Sequence, residues 1–368
     1  MKSKAVFIAA TGQNVGKTTT CLGLVSGLLK RHGSVGYLKP VGQEHVQTES
    51  GACVDKDVLL FRSHFQLKTP YEAMSPVLFP NGFTRDYLDG KVQRNALIHK
   101  IQTSSNAIIQ KHPITIIEGT GHTGVGSIVD LNNAQVASLL NIPVVLVASG
   151  GLGSSFDELE LNRTQCEKYG AKVAGIILNR VLSNKRSMII EYMNKALSRW
   201  NIPLLGCIPF DSMLSMPTMG DFELLFQTQL IAGQINRWRH FDEIRLIANA
   251  IEMNRVATPN QLIITPANRE DTVLAILTHY WDLKLSHPDE TLSYGLILTG
   301  KEPLKTSLAK ELQQTDLPVL YTPLSSFAAL KILHSHTHKI RAEDTVKIEE
   351  AIRVVETNIN FDLLESIA

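Results

Sequence analysis

Short apolar runs punctuate the first two hundred residues, and after each one the apolar positions return every three or four residues. Residues 5–10 (AVFIAA) form such a run, and the following stretch, 19–30, places Leu22, Val25, Leu28 and Leu29 at helical spacing. The same alternation recurs with runs at 35–38, 114–117, 143–148, 173–178 and 204–208, separated by helical patterns at 95–111, 133–140, 156–169 and 188–200. Runs that are apolar at every position are strands buried on both faces, and their alternation with helices predicts a mainly parallel sheet covered by helices on both sides. The pattern blurs after Leu225 and through residues 234–242, where Arg237, Trp238, Arg239 and His240 read as a bridge. A second, smaller α/β series follows: strands at 262–264, 294–298 and 318–321, helices at 270–280, 305–313, 325–333 and 343–358. The expected division is therefore 1–240 and 241–368. In the last helix Val346, Ile348, Ile352 and Val355 mark an apolar face whose default partner is a core.

Chemistry enters between the first strand and the first helix. Thr11, Gly12, Gln13, Asn14, Val15, Gly16, Lys17, Thr18 and Thr19 stand there in one run. A strand, a tight glycine-containing loop and a helix closing on Gly-Lys-Thr form a phosphate-binding loop, or P-loop. Its backbone N–H groups and the positive end of the helix hold phosphate oxygens. Lys17 is placed to reach the β- and γ-phosphates, and the Thr18 hydroxyl to ligate Mg²⁺. The strict pattern asks for glycine where Thr11 stands. Lys39 follows the second strand, at the sheet edge where ligands of open α/β sheets sit. Asp55 and Asp57 precede an apolar helical stretch and either one suits a helix cap. Glu118 ends the strand 114–117, where a direct or water-mediated Mg²⁺ ligand belongs. No general base for water is visible near residues 11–18.

Composition narrows the partners. Lysine and arginine number 36 against 35 aspartates and glutamates, a formal net charge of +1 that gives no footprint for nucleic acid or an anionic membrane. Cys21, Cys53, Cys166 and Cys207 lie far apart with no C-x-x-C, which argues for free thiols over zinc. Lys2 and Lys4 precede an apolar run that breaks after six residues and enters the phosphate loop, unlike a signal peptide. No run approaches the ~18 apolar residues of a membrane span, so a cytoplasmic protein is expected.

Residues 11–18, Lys39-Pro40-Val41, Asp57, Glu118-Gly119, Asn179 and Pro209 occur in the order seen in dethiobiotin synthetase-like P-loop NTPases, and residues 1–240 resemble that family. The resemblance implies ATP and Mg²⁺ as cofactors, with Thr11 on the γ-phosphate and Thr18, Asp57 and Glu118 around the metal. It places Lys39 against an acceptor carboxylate or carbamate, and Asn179 and Pro209 about the base. It also implies a homo-oligomer, a dimer or higher, with the loop 149–156 near the subunit contact. Residues 241–368 resemble the DRTGG domain through 264–271 (ITPANRED) and 295–300 (GLILTG). Asn268 stands where that family usually has aspartate, and Lys301 replaces a second glycine after Thr299-Gly300.

The two domains in this order look like the N-terminal region of long-form bacterial phosphate acetyltransferases, without the transferase domain. The sequence thus predicts a nucleotide-responsive regulatory module acting on a metabolic-enzyme partner, not itself an acetyltransferase. The alternative is a dethiobiotin synthetase-like ligase that phosphorylates a small carboxylate or carbamate metabolite; slow ATP hydrolysis suits either.

Overall fold

The six apolar runs of the first two hundred residues become the strands of one sheet. In the computed structural model these are β1 (Lys4–Ala10), β2 (Gly36–Leu38), β3 (Ile114–Glu118), β4 (Val144–Ser149), β5 (Val173–Val181) and β6 (Leu204–Pro209). The structure describes residues 4–48, 51–247, 260–286, 294–335 and 339–368. The strand order is β6-β5-β4-β1-β3-β2, and every pairing is parallel. All five residues of β3 are buried, Thr115 and Glu118 included, as are six of the seven in β1, as expected of strands covered on both faces. The connecting helices include α1 (Lys17–His32), α2 (Lys56–His64), α3 (Arg94–Ile109), α4 (Asn133–Leu140), α5 (Gly153–Lys168) and α6 (Arg186–Leu197).

The chain divides into two compact units, Met1–Asp211 with Ile340–Ala368, and Ser212–Lys339. This differs at both ends from a division at residue 240. In the second unit α7 (Met219–Phe226) sends Met219 and Phe222 into a core with Leu262, Ile264, Ile297 and Leu320. The Trp238 ring lies against Gly220, so the supposed bridge is packed structure. The sheet of this unit contains β7 (Leu230–Ala232), β8 (Glu243–Leu246), β9 (Gln261–Pro266), β10 (Tyr294–Thr299) and β11 (Val319–Thr322). Their order is β7-β11-β10-β9-β8, antiparallel only between β7 and β11. On one face α8 (Glu270–Ser286) and α9 (Thr306–Leu312) close a core of Val273, Ile276, Leu277, Leu308 and Leu312. Leu330 and Leu333 of α10 (Ser326–Ser335) belong to the cluster with Met219.

The C-terminal helices α11 (Thr345–Glu356) and α12 (Phe361–Ile367) return to the first unit. Gly23 and Gly27 on α1 make room for them: a Cβ at Gly23 would collide with Val355, and one at Gly27 with the Phe361 ring. Two small residues one turn apart let the helices approach at backbone distance. The Asn360 amide donates to the Leu205 carbonyl at 2.8 Å, which fixes the same segment to β6. Lys30 pairs with Glu356 at 2.6 Å on the exposed rim, a small addition to a contact made by packing. Ile348 and Val355 are fully buried and Ile352 partly so, while Val346 is exposed; the buried part of the face joins the core of the first unit, not that of the second.

Candidate nucleotide site

β1 lies between β3 and β4, and the chain runs from β1 past β3 to β2 on one side and through β4, β5 and β6 on the other. This is the topological switch at which open α/β sheets leave a crevice. The loop out of β1 turns through two left-handed residues, Asn14 at φ 56° and Gly16 at φ 98°. Gly16 is the N-cap of α1 and offers no side-chain cap, and the first turn carries no acidic residue. The start of α1 therefore lacks the side-chain cap that most helix starts recruit, and such a terminus has room for an anion. Val15 is buried beneath the loop, whereas Gln13 and Asn14 are exposed and Gly12, Lys17, Thr18 and Thr19 are half-buried.

Lys17 donates its ammonium to the Gly121 carbonyl in the loop after β3. That loop is pinned by Asn133, whose Nδ2 donates to Thr120 O at 2.8 Å and His122 O at 2.7 Å, while its Oδ1 accepts from Thr120 N at 2.9 Å. Burial lowers the Lys17 pKa, partly offset by the nearby Glu118. Glu118, 1% exposed, accepts from Thr18 Oγ1 at 2.8 Å and from the Tyr37 hydroxyl at 2.9 Å. Burial, reinforced by the like charge of Asp57, raises its carboxyl to about 7. Tyr37 itself is stacked on Phe61 with ring centroids 3.8 Å apart, which locks the hydroxyl in place.

Lys39, at the end of β2, is nearly buried and lies 3.0 Å from Asp55 while also pairing with Asp57. Burial opposes its charge, but Asp57 and Asp55 outweigh that and hold its pKa above the usual lysine range. Asp55 is the N-cap of α2, accepting from the Asp57 amide at 3.0 Å, and burial raises its carboxyl despite Lys39. Of the three expected metal ligands, Thr18 and Glu118 are thus in direct contact, while the Asp57 carboxylate is turned to Lys39. Among the described residues no group of three or more His, Cys, Asp and Glu is placed to hold a metal. The expected set is instead one hydroxyl and two carboxylates, a hard-oxygen set that suits Mg²⁺.

Thr11 donates to Glu158 on α5 at 2.8 Å, and its carbonyl accepts from Asn162 at 3.2 Å. Glu158 and Asn162 escape a reading of the sequence, since a helix far along the chain gives no sign of which residues meet the loop. Asn179, at the end of β5, spends its Nδ2 on the Val15 carbonyl at 2.8 Å and its Oδ1 on the Arg180 amide at 2.9 Å. A Cβ on Gly16 would strike the same amide nitrogen, so Asn179 is the wall that requires glycine there. Pro209 ends β6 next to an irregularity in its register, and Phe210 beyond it is half exposed.

A model of the DRTGG domain matches residues 226–336. The phosphate acetyltransferase of Nitrosomonas europaea is 25% identical over 372 residues, covering 97% of this chain and 51% of the relative. That of Deinococcus radiodurans is 27% identical over 344 residues, covering 90% and 46%. The chain spans about half the length of these curated relatives. Among solved structures, the MinD cell division protein of Aquifex aeolicus overlaps 57% of this chain and 84% of its own, at 12% identity and a TM-score of 0.37. A model of the AAA domain family AAA_26 matches residues 4–218, more than half of the sequence, and the chain belongs to that family.

Proposed function

We propose that the first unit binds ATP with Mg²⁺ and that the protein is a nucleotide-responsive regulatory module. The observation that carries this reading is the contact of Thr18 with Glu118 beside an uncapped α1. The phosphates would lie against the first-turn amides and Lys17, which would exchange the Gly121 carbonyl for a phosphate oxygen. Thr18 and Glu118 would hold the metal, with Asp57 alongside; when bound, Mg²⁺ neutralises phosphate charge. A buried carboxyl already crowded by Asp57 gains a counter-charge when a divalent cation arrives. Asn179 keeps the loop in shape, and a base-edge role for it would require one of its two hydrogen bonds to open.

Regulation is favoured over ligation by two features. The second unit is inserted into the first, joined to it by two chain crossings, and the returning helix α11 lies on α1, which begins at Lys17. Lys39, the residue that a ligase would turn to its acceptor, has two aspartates as partners instead. A dimer or higher assembly through the loop 149–156, and a metabolic enzyme as partner, belong to the same proposal.

The test is hydrogen exchange in residues 261–271 and 294–302 with and without ATP and Mg²⁺. A nucleotide that prefers one state of the protein changes exchange there, because a ligand shifts an equilibrium only by its preference between states. Unchanged exchange, together with phosphate release strongly stimulated by one carboxylate or amine metabolite, overturns regulation in favour of the ligase.

A further inference from the structure

Two loops meet at the candidate nucleotide site, and they leave different strands. The phosphate loop follows β1, and the loop 119–126 follows β3, the neighbour of β1 in the sheet. Lys17 ties the two directly through the Gly121 carbonyl. A phosphate that takes this ammonium opens that tie. Asn133 still holds Thr120 and His122, but it stands at the start of α4 and so fixes the loop to α4, not to the phosphate loop. A second tie is needed to keep the two loops in register once Lys17 is engaged.

That tie runs through α5. Glu158, Asn162 and Gln165 lie on successive turns of this helix and share a face. Asn162 Nδ2 donates to the Thr11 carbonyl at 3.2 Å and to the Glu158 carbonyl at 2.8 Å. Carbonyls only accept, so the amide nitrogen is the atom that faces them, and Oδ1 is left on the other side. There it accepts from the Thr123 hydroxyl at 2.5 Å. Thr123 Oγ1 also lies 3.1 Å from Gln165 Oε1, but it has one proton to give, and Asn162 is nearer. Asn162 thus joins the phosphate loop to the loop after β3 with its donors and its acceptor all engaged.

Burial makes this connection demanding. Thr123 is fully buried, and Thr11 and Asn162 are each 8% exposed. A buried acceptor that loses its donor finds no water in its place, so each bond is costly to break. The connection uses the Thr11 carbonyl and leaves the Thr11 hydroxyl to Glu158. Lys17 takes no part in it, so it stays closed when Lys17 turns to a phosphate.

We infer that Asn162, anchored by Thr123, is the positioning residue that keeps the loop 119–126 in register with the phosphate loop while nucleotide is bound. The inference rests on the reading of the first unit as a nucleotide site. The experiment uses the full chain and compares wild type with Thr123→Val, which keeps the shape without the hydroxyl, and Thr123→Ser, which keeps the hydroxyl without the methyl. Calorimetry with ATP and Mg²⁺ is expected to show affinity about tenfold weaker in Thr123→Val and within about twofold of wild type in Thr123→Ser. A packing role for Thr123 predicts the reverse order. Hydrogen exchange in residues 119–127 should be faster in Thr123→Val than in wild type, and by a larger factor with saturating ATP than without it, because Lys17 then no longer ties the loop. A merely structural bond gives the same factor in both states. If Thr123→Val does not fold, Asn162→Ala carries the same expectations. Wild-type protein that binds no ATP overturns the nucleotide reading, and the inference with it. Wild-type binding accompanied by unchanged affinity in Thr123→Val, equal losses in the valine and serine variants, the reverse order, or one exchange factor in both states overturns the inference alone.

Discussion

Two carboxyl edges of parallel strands, one in each unit, differ in how they are built. At the edge of β1 and β3, Lys17, Lys39, Asp55, Asp57 and Glu118 crowd into buried space and answer one another's charges. At the edge of β9 and β10, hydroxyls and bare backbone line an open cavity with one lysine and one glutamate. A buried ionic network is costly to leave incomplete, so the proposed cation and anion would complete the first edge. The second edge has little such cost, and a ligand there gains affinity mainly from contacts it brings. The lesson is that the same position in a fold can be primed or permissive, and that charge density decides which.

The contrast breaks most readily at Lys17. Lys17→Ala should lower ATP affinity by about a thousandfold, roughly 4 kcal/mol, because a half-buried phosphate then loses its paired cation. Calorimetry measures this, and circular dichroism should show an unchanged fold. Equal affinity in the variant would mean that the first edge is not the nucleotide site.

The next effect is on pH. Glu118 in the folded protein titrates near 7 rather than near its ordinary 4.5, so over that interval the unfolded chain releases a proton that the folded one keeps. Stability of the first unit without Mg²⁺ should therefore be full below about pH 4.5 and decline as pH rises toward 7. The loss attributable to Glu118 is about 3 kcal/mol, and Asp55 acts in the same direction. Denaturant unfolding at pH 5 and 7.5 measures the loss, and Glu118→Gln should remove most of it. A flat profile would count against a primed first edge.

Two glycines sharpen the comparison further. Gly16 and Gly300 both have left-handed backbone, at φ 98° and 110°, but only Gly16 faces a wall, the Asn179 amide. Gly16→Ala should cost the first unit about 2 kcal/mol, from backbone strain and a disturbed Asn179–Val15 bond. Gly300→Ala should cost the second unit only about 1 kcal/mol of strain. Hydrogen exchange resolved by unit separates the two, and equal costs would erase the difference in packing.

The smallest effect has the opposite sign. Glu158 accepts from Thr11, so its negative charge lies beside the residue expected to meet the γ-phosphate. Glu158→Gln should strengthen ATP binding about fivefold, close to 1 kcal/mol of relieved repulsion. Weaker binding instead would show that Glu158 helps to assemble the site.

What the sequence disclosed, it disclosed where the chemistry is contiguous. Residues 11–18 and the strand before them declare a phosphate loop because loop, lysine and helix are neighbours in the chain. Glu118 and Lys39 are legible as strand-end positions. Their partners are not, since pairing with Tyr37, Asp55 or Asp57 is decided by how β2, β3 and α2 come together. Glu158 and Asn162 are invisible for the same reason. The boundary at 240 followed a polar cluster, yet Trp238 within it packs on Gly220. The apolar face of α11 announces burial, but nothing in its periodicity says that the burying surface is α1, which begins at Lys17.

That last contact also governs how the chain reaches its native state. Gly23 meets Val355 and Gly27 meets Phe361 across more than three hundred residues of sequence, with a whole folding unit between them. Contacts of such separation form late, after the loop they close has been ordered at entropic cost. On the ribosome the sheet of the first unit is synthesised early, but the cover of α1 is translated only after the inserted unit. Until then the glycine-lined face of α1 has no C-terminal helix to pack against.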